Sequence, residues 1–290
     1  MQGLMLTLIT GVSVGAVYAL VALGFVVVFK ATDVLNFAHG HFIVIGAYAS
    51  LLLVEELRMG VVTTLLTLIS LGLVVGAGIH HLLMRWTIGT PLFTKVMVTI
   101  GLSLIIQSVL LMLFGSSPRT FDSPVPQDPI LFSGVRISTA NVVVLAVSGL
   151  LVVGFIILML KTRLGIQLRA TAANPEAALL MGINRQRVLA IAWGIAVALG
   201  LIAGFFMATV SPLVTPAMSA VGMRAFPAAV LGGLTSLPGA IVGGLMVGVA
   251  EQMAAYYIGS ESQNAVAFGL LLLVLVIRPQ GLFGQKVEKV

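Results

Sequence analysis

Long runs without a single charged side chain dominate this sequence and leave few folds open to it. Residues 4–29, 61–79, 96–114, 141–160 and 262–277 contain no Asp, Glu, Lys or Arg. Most of these runs are close to or above the roughly 20 residues that cross a bilayer as a helix. A shorter run, 42–54, lies between them, and two more, 188–223 and 225–250, follow. Backbone amides in hydrocarbon must be satisfied within the protein, which leaves helices or a closed barrel. The runs are continuously apolar rather than alternating, which excludes the barrel. Only 8% of residues are charged and 59% are apolar, against about 25% charged in soluble domains. The expected fold is all-α: a polytopic helical membrane protein of about eight membrane helices, some broken or re-entrant, in one transmembrane domain over residues 1–290.

The first run lacks a basic leader and is too long for a cleaved signal peptide, so it is expected to stay as the first span. There are no cysteines, which removes disulfides and thiolate chemistry. The net charge of +6 has no basic run with interleaved aromatics behind it, so it is a topology signal and not a nucleic-acid patch. Lys161, Arg163, Arg169, Arg185 and Arg187 assign the central loop to the cytoplasm. Arg278, Lys286 and Lys289 assign the C-terminus there, and Arg85 and Lys95 fit the same frame. The N-terminus then falls outside. So does the Pro-rich segment 115–138, where Ile130-Leu131-Phe132 and Val135-Arg136-Ile137 around Ser133-Gly134 predict a small hairpin.

Parity sharpens this frame. The span that begins at Val188 leaves the cytoplasm and the last span must return to it, so residues 211–260 start and finish outside. Either that stretch crosses twice, or part of it is re-entrant, with Ala225-Phe226-Pro227-Ala228-Ala229-Val230-Leu231-Gly232-Gly233 as the broken helix. Small-residue pairs such as Gly11 with Gly15 and Gly244 with Gly248 predict close helix contacts.

Within the central loop, residues 161–187, a short helix has its own start and stop signals. Asn174 is a capping residue, Pro175 suits the first helical position, and Glu176 places negative charge at the positive helix end. Ala177 and Ala178 continue the helix, and Gly182 supplies a left-handed exit. No phosphate-loop pattern occurs, and no ordered set of acids is evident within the spans; Glu251 is expected at a span end. Energy for transport is therefore expected from a separate subunit. His39, His41, His80 and His81 have no accompanying carboxylates, so no metal site or cofactor is expected.

Glu176-Ala177-Ala178-Leu179-Leu180-Met181-Gly182 resembles the core of the cytoplasmic loop through which ABC importer permeases dock on their ATPases. It departs from the classical motif, which continues to Ile-x-Leu-Pro, whereas Ile191 here precedes Ala192-Trp193-Gly194. Val34-Leu35-Asn36-Phe37-Ala38-His39-Gly40-His41-Phe42, the 225–233 stretch, Leu237-Pro238-Gly239 and Arg278-Pro279-Gln280-Gly281-Leu282-Phe283-Gly284 are similar to the LivH/LivM superfamily of branched-chain amino-acid permeases. The resemblance implies a non-enzymatic transport subunit in a prokaryotic inner membrane. Its implied partners are a homologous second permease, two cytoplasmic ATPases and an external solute-binding protein. Asn36, His39, Gly40, Phe226, Gly232 and Gly233 are the candidate translocation path. Asn36 and His39 either meet a zwitterionic substrate or only knit a helix break. Alternatives are a urea or short-chain amide permease of the same superfamily, and a stand-alone carrier or channel.

Overall fold

The computed structural model describes residues 2–132 and 135–284. The hairpin turn Ser133-Gly134 and the topology residues Lys286 and Lys289 lie outside the described residues. Eleven α-helices run through the described chain: α1 Gln2–Thr32, α2 His39–Leu51, α3 Val61–Leu82, α4 Leu92–Phe114, α5 Thr139–Lys161, α6 Arg163–Ala173, α7 Pro175–Leu180, α8 Arg185–Val210, α9 Ala220–Gly232, α10 Leu237–Tyr257 and α11 Ser262–Ile277. Among these, six (α1, α3, α4, α5, α8 and α10) are long and apolar enough to span a bilayer. The protein is a polytopic helical membrane protein, with α2, α9 and α11 as shorter helices in place of further full spans.

Most of the described basic residues, though not Arg58, Arg119, Arg136 or Arg224, gather at one end of the bundle, which carries the ends of α1 and α3, the start of α4, and α6 and α7. At the opposite end, four short strands form two ribbons. Strands β1 (Arg119–Thr120) and β4 (Leu213–Val214) pair antiparallel, as do β2 (Pro129–Phe132) and β3 (Val135–Ser138), the strands of the expected hairpin.

Helices α1 and α8 form the core, together with α10. Where α1 crosses α10, Gly11 and Gly15 meet Gly248 and Gly244, so the two backbones are in contact. An added Cβ at Gly15 would lie 2.9 Å from the Leu245 Cα, too close for any real side chain. The same device joins α2 to α8 at Gly46 and Gly204, and α3 to α8 at Gly72 and Gly76. Close backbone approach maximises van der Waals contact where no hydrophobic effect separates protein from lipid.

The two half-length helices answer the parity problem. Helix α9 starts at mid-depth, runs 13 residues to the basic end and stops at Gly233, whose φ of +101° only glycine adopts readily. The chain turns there and α10 climbs back the full distance. The 225–250 run is therefore two helices, and the break moves Glu251 inward. It lies within α10, fully buried, with Oε2 accepting a 2.7 Å hydrogen bond from the Tyr18 hydroxyl. The expectation of a span-end acid failed because an uncharged run conceals a turn, Gly233-Leu234-Thr235-Ser236. The long 188–223 run likewise ends its helix at Val210, before Pro212 and Pro216.

Candidate functional site

The segment after α1 turns on Asp33, in the left-handed region at φ +54°, and then leads to α2 without regular structure. Thr99 of α4 holds it: the Phe37 amide donates to Thr99 Oγ1 at 3.4 Å, and that hydroxyl lies 3.3 Å from the Leu35 carbonyl. Asn36 Oδ1 accepts from the Ala38 amide at 3.1 Å and so shapes the last turn before the helix. Its Nδ2 is buried and has no hydrogen-bond partner.

Helix α2 therefore begins inside the bundle. His39 is fully buried, with its ring centroid 4.5 Å from that of Phe25 and its edge against Gly24 and Gly200. The next residue, Gly40, touches Gly222 and the Ser219 carbonyl at the start of α9. Two half-helices thus begin side by side at mid-depth and run in opposite directions. Neither start has a side-chain cap.

Beside these two starts lies a groove of ≈ 480 Å³. Asn36, Gly40, His41 and Ser219 line its polar side, and Ser103 Oγ and His41 Nδ1 are 3.1 Å apart across it. Phe25, Ile100, Met223, Phe226 and Phe268 form its apolar wall. Of the residues expected on the path, Asn36, Gly40 and Phe226 come together here, and His39 packs behind them. Gly232 and Gly233 do not line the groove. They sit at the foot of α9, where Gly232 meets Gly239 and Gly233 meets Gly281 and Gly284. Ser103, Ile100 and Phe268 reach the groove from α4 and α11. Ser103 is a hydroxyl in a span that also carries Thr99, Gln107 and Ser108, so the sequence does not single it out.

The short basic-end helix α7 has the capping expected of it. Asn174 Oδ1 accepts from the amides of Glu176 at 3.1 Å and Ala177 at 2.9 Å, Pro175 occupies the first turn, and Gly182 leaves at φ +79°. Ala178 is buried against the bundle, while Leu179, Leu180 and Met181 project from it. Helix α6, which precedes α7, is anchored by Thr162 capping Gly165 and by Arg169 donating to the Met159 carbonyl. The expected two-turn helix is thus carried on a second, longer one.

Comparison with known proteins places this architecture. A 32% identical relative, the high-affinity branched-chain amino acid transport system permease protein BraD of Pseudomonas aeruginosa, aligns over 98% of this chain and 97% of its own. The permease protein LivH of Salmonella typhimurium is 33% identical over 97% of this chain and 96% of its own. A more distant one, the probable branched-chain amino acid transport permease protein LivH of Methanocaldococcus jannaschii, is 27% identical over 91% and 88%. The family model described as branched-chain amino acid transport system / permease component matches residues 7–276, so with its broken helices, buried glycine contacts and near full-length relatives the chain belongs to that permease family.

Proposed function

We propose that this protein is the membrane subunit of an ATP-driven importer for branched-chain or related aliphatic amino acids, and that the groove beside α2 and α9 is its translocation path. One observation carries this reading: a buried, unpaired Asn36 amide and two uncapped helix starts stand on one side of an apolar groove. The amides of His39, His41 and Ala220 bond backbone carbonyls, so what the two starts offer a carboxylate is the positive end of each helix dipole. Phe25, Ile100, Phe226 and Phe268 offer the aliphatic side chain a surface of the right polarity. A groove of this size accepts a small metabolite. His39 fixes the start of α2, and Gly232 and Gly233 act as the hinge of the α9–α10 turn.

Residues 1–290 would act as one permease domain, and 161–187 as its coupling loop. The Lys and Arg distribution supports a cytoplasmic basic end in a prokaryotic inner membrane, with the C-terminus on that side. Two ATPases would grip α7 there; Leu180 and Met181, 88% and 82% exposed, give them an apolar hold. A homologous second permease would complete the membrane unit, and an external binding protein would deliver substrate to the opposite end.

The test is uptake by the complex reconstituted in vesicles. Labelled leucine should enter only with ATP and the ATPase subunits, and unlabelled valine should compete while urea does not. Competition by urea instead would assign the groove to amides, and uptake without the ATPases would make the chain a stand-alone carrier. Asn36→Ala should lower uptake about tenfold, the loss of one hydrogen bond to a charged group. Glu176→Lys or Gly182→Trp should leave insertion intact and separate ATP hydrolysis from uptake; normal transport in both would remove the coupling role of α7.

A further inference from the structure

A second cleft lies at the basic end, between the end of α3, the start of α4 and the first turns of α8; it is distinct from the groove but shares the segment after α1 with it, through Thr32 and Val34. Lys95, Arg185, His80 and Trp193 line it with Thr32 and Thr87. Its donors are unusual for being idle. Trp193 is fully buried, yet its Nε1 has no hydrogen-bond partner. Arg185 Nε is also buried and unpartnered. His80 is different: its Nε2 faces Gln186 Oε1 at 3.0 Å, which leaves Nδ1 of the neutral ring an acceptor and not a donor. Indole N–H, guanidinium and ammonium groups donate and never accept. No Asp or Glu is among the lining residues, and Asp33, between the lining residues Thr32 and Val34, is exposed.

Buried donors without partners are costly, and a cleft that brings Trp193 Nε1 and Arg185 Nε together with the Lys95 ammonium is a site waiting for an acceptor. We propose that this cleft binds a phosphate oxyanion, either the headgroup of an anionic phospholipid or a soluble phosphate. Its size restricts the ligand. A cavity of ≈ 30 Å³ holds about two waters, so it seats about two oxygens of one tetrahedral anion and excludes a whole amino acid or nucleoside. Its depth suits a headgroup. The turn that forms one wall, Met84–Thr87, carries Trp86, exposed and stacked 4.6 Å from the Arg85 guanidinium. Exposed tryptophans of this kind sit at the membrane–water boundary, where anionic lipids meet basic residues. Arg185 is also the first residue of α8, directly after the α7 loop. An anion held by Lys95 and Arg185 would tie α4 to α8 and stiffen the root of that loop.

The full chain carries two tryptophans, so a Trp86→Phe background leaves Trp193 as the single emitter. In detergent, phosphatidylglycerol and inorganic phosphate are titrated separately at constant ionic strength while Trp193 emission is followed. A saturable change is expected with at least one. A response to phosphatidylglycerol alone identifies a lipid site, and a response to inorganic phosphate identifies a soluble-anion site. The Lys95→Gln/Arg185→Gln variant should bind about tenfold more weakly, the scale of one charge-assisted hydrogen bond, whereas Lys161→Gln at the same end should not. If the double variant does not yield monodisperse protein, Lys95→Gln alone is titrated against the same criterion. No change with either ligand, or unaltered affinity in the Lys95 variant, would overturn the proposal and leave the cleft to water.

Discussion

Helices α1 and α4 are equally apolar by sequence and have opposite surroundings. In α1, 89% of the most apolar stretch is buried, as in α8; in α4 the share is 17%, and α3 and α5 are similar to α4. Apolar character therefore says that a helix belongs in the membrane and nothing about which side of it faces protein. The small residues make the difference. Glycines in α1, α8 and α10 meet backbone of a neighbouring helix, whereas Gly101 of α4 and Gly149 and Gly154 of α5 have nothing within 4 Å of where a Cβ would stand. The core is thus specified by gaps in the side-chain surface, and α4 and α5 by the absence of any such requirement; α3 is intermediate, exposed over most of its length but with Gly72 and Gly76 against the α8 backbone.

The sharpest way to break this contrast is to fill a core gap. At Gly204, a Cβ would meet the Ile43 carbonyl and come within 2.7 Å of the Ala47 amide nitrogen, so Gly204→Val should cost about 3 kcal/mol or prevent assembly of α2 on α8. Loss of a monodisperse peak, or a large fall in the thermal midpoint in detergent, would register it. Tyr18→Phe should have a smaller effect. It leaves the buried Glu251 carboxyl without its hydroxyl donor, at about 1–3 kcal/mol, read from the same melting curves. The smallest change should come from Gly154→Ala, which meets nothing and relieves a helix of a flexible residue, for a gain of up to about 1 kcal/mol. If that variant melted as low as Gly204→Val, the face of α5 now assigned to the bundle exterior would have to be a packed one.

The same contrast explains how much the sequence disclosed. The start of α3 and the end of α4 could be read to the residue, because each meets a glycine there, whereas their basic ends ran on past the apolar runs, to Leu82 and back to Leu92. The α7 helix was equally plain, since Asn174, Pro175 and Gly182 act through their immediate neighbours. Breaks inside apolar runs were harder to see. The turn at Gly233–Ser236 contains no charge and no more glycine than the helices around it, so Glu251 seemed to close a span that it in fact lies within. The β1–β4 ribbon joins two pairs of residues more than ninety positions apart and has no local pattern. For the groove, Asn36, Gly40 and Phe226 were each visible as candidates. That Ser219 and Gly222 adjoin Gly40, and that α4 and α11 complete the wall, depends on tertiary packing that periodicity does not encode. Helix α6 was hidden for another reason, because its polar composition reads simply as loop.

One contact bears on how the protein is made. The amides of Leu282 and Phe283 donate to the carbonyls of Leu231 and Gly232, at 2.8 and 3.1 Å, and so close the exposed end of α9. Those carbonyls are the last of a half-helix, and no residue synthesised earlier satisfies them in the same way. Until residues 282–283 dock, those two carbonyls at the α9–α10 turn lack this pair of donors. The half-helix that borders the groove is therefore fastened by a segment about fifty residues further along the chain, a non-local closure that neither α9 nor α10 can make alone.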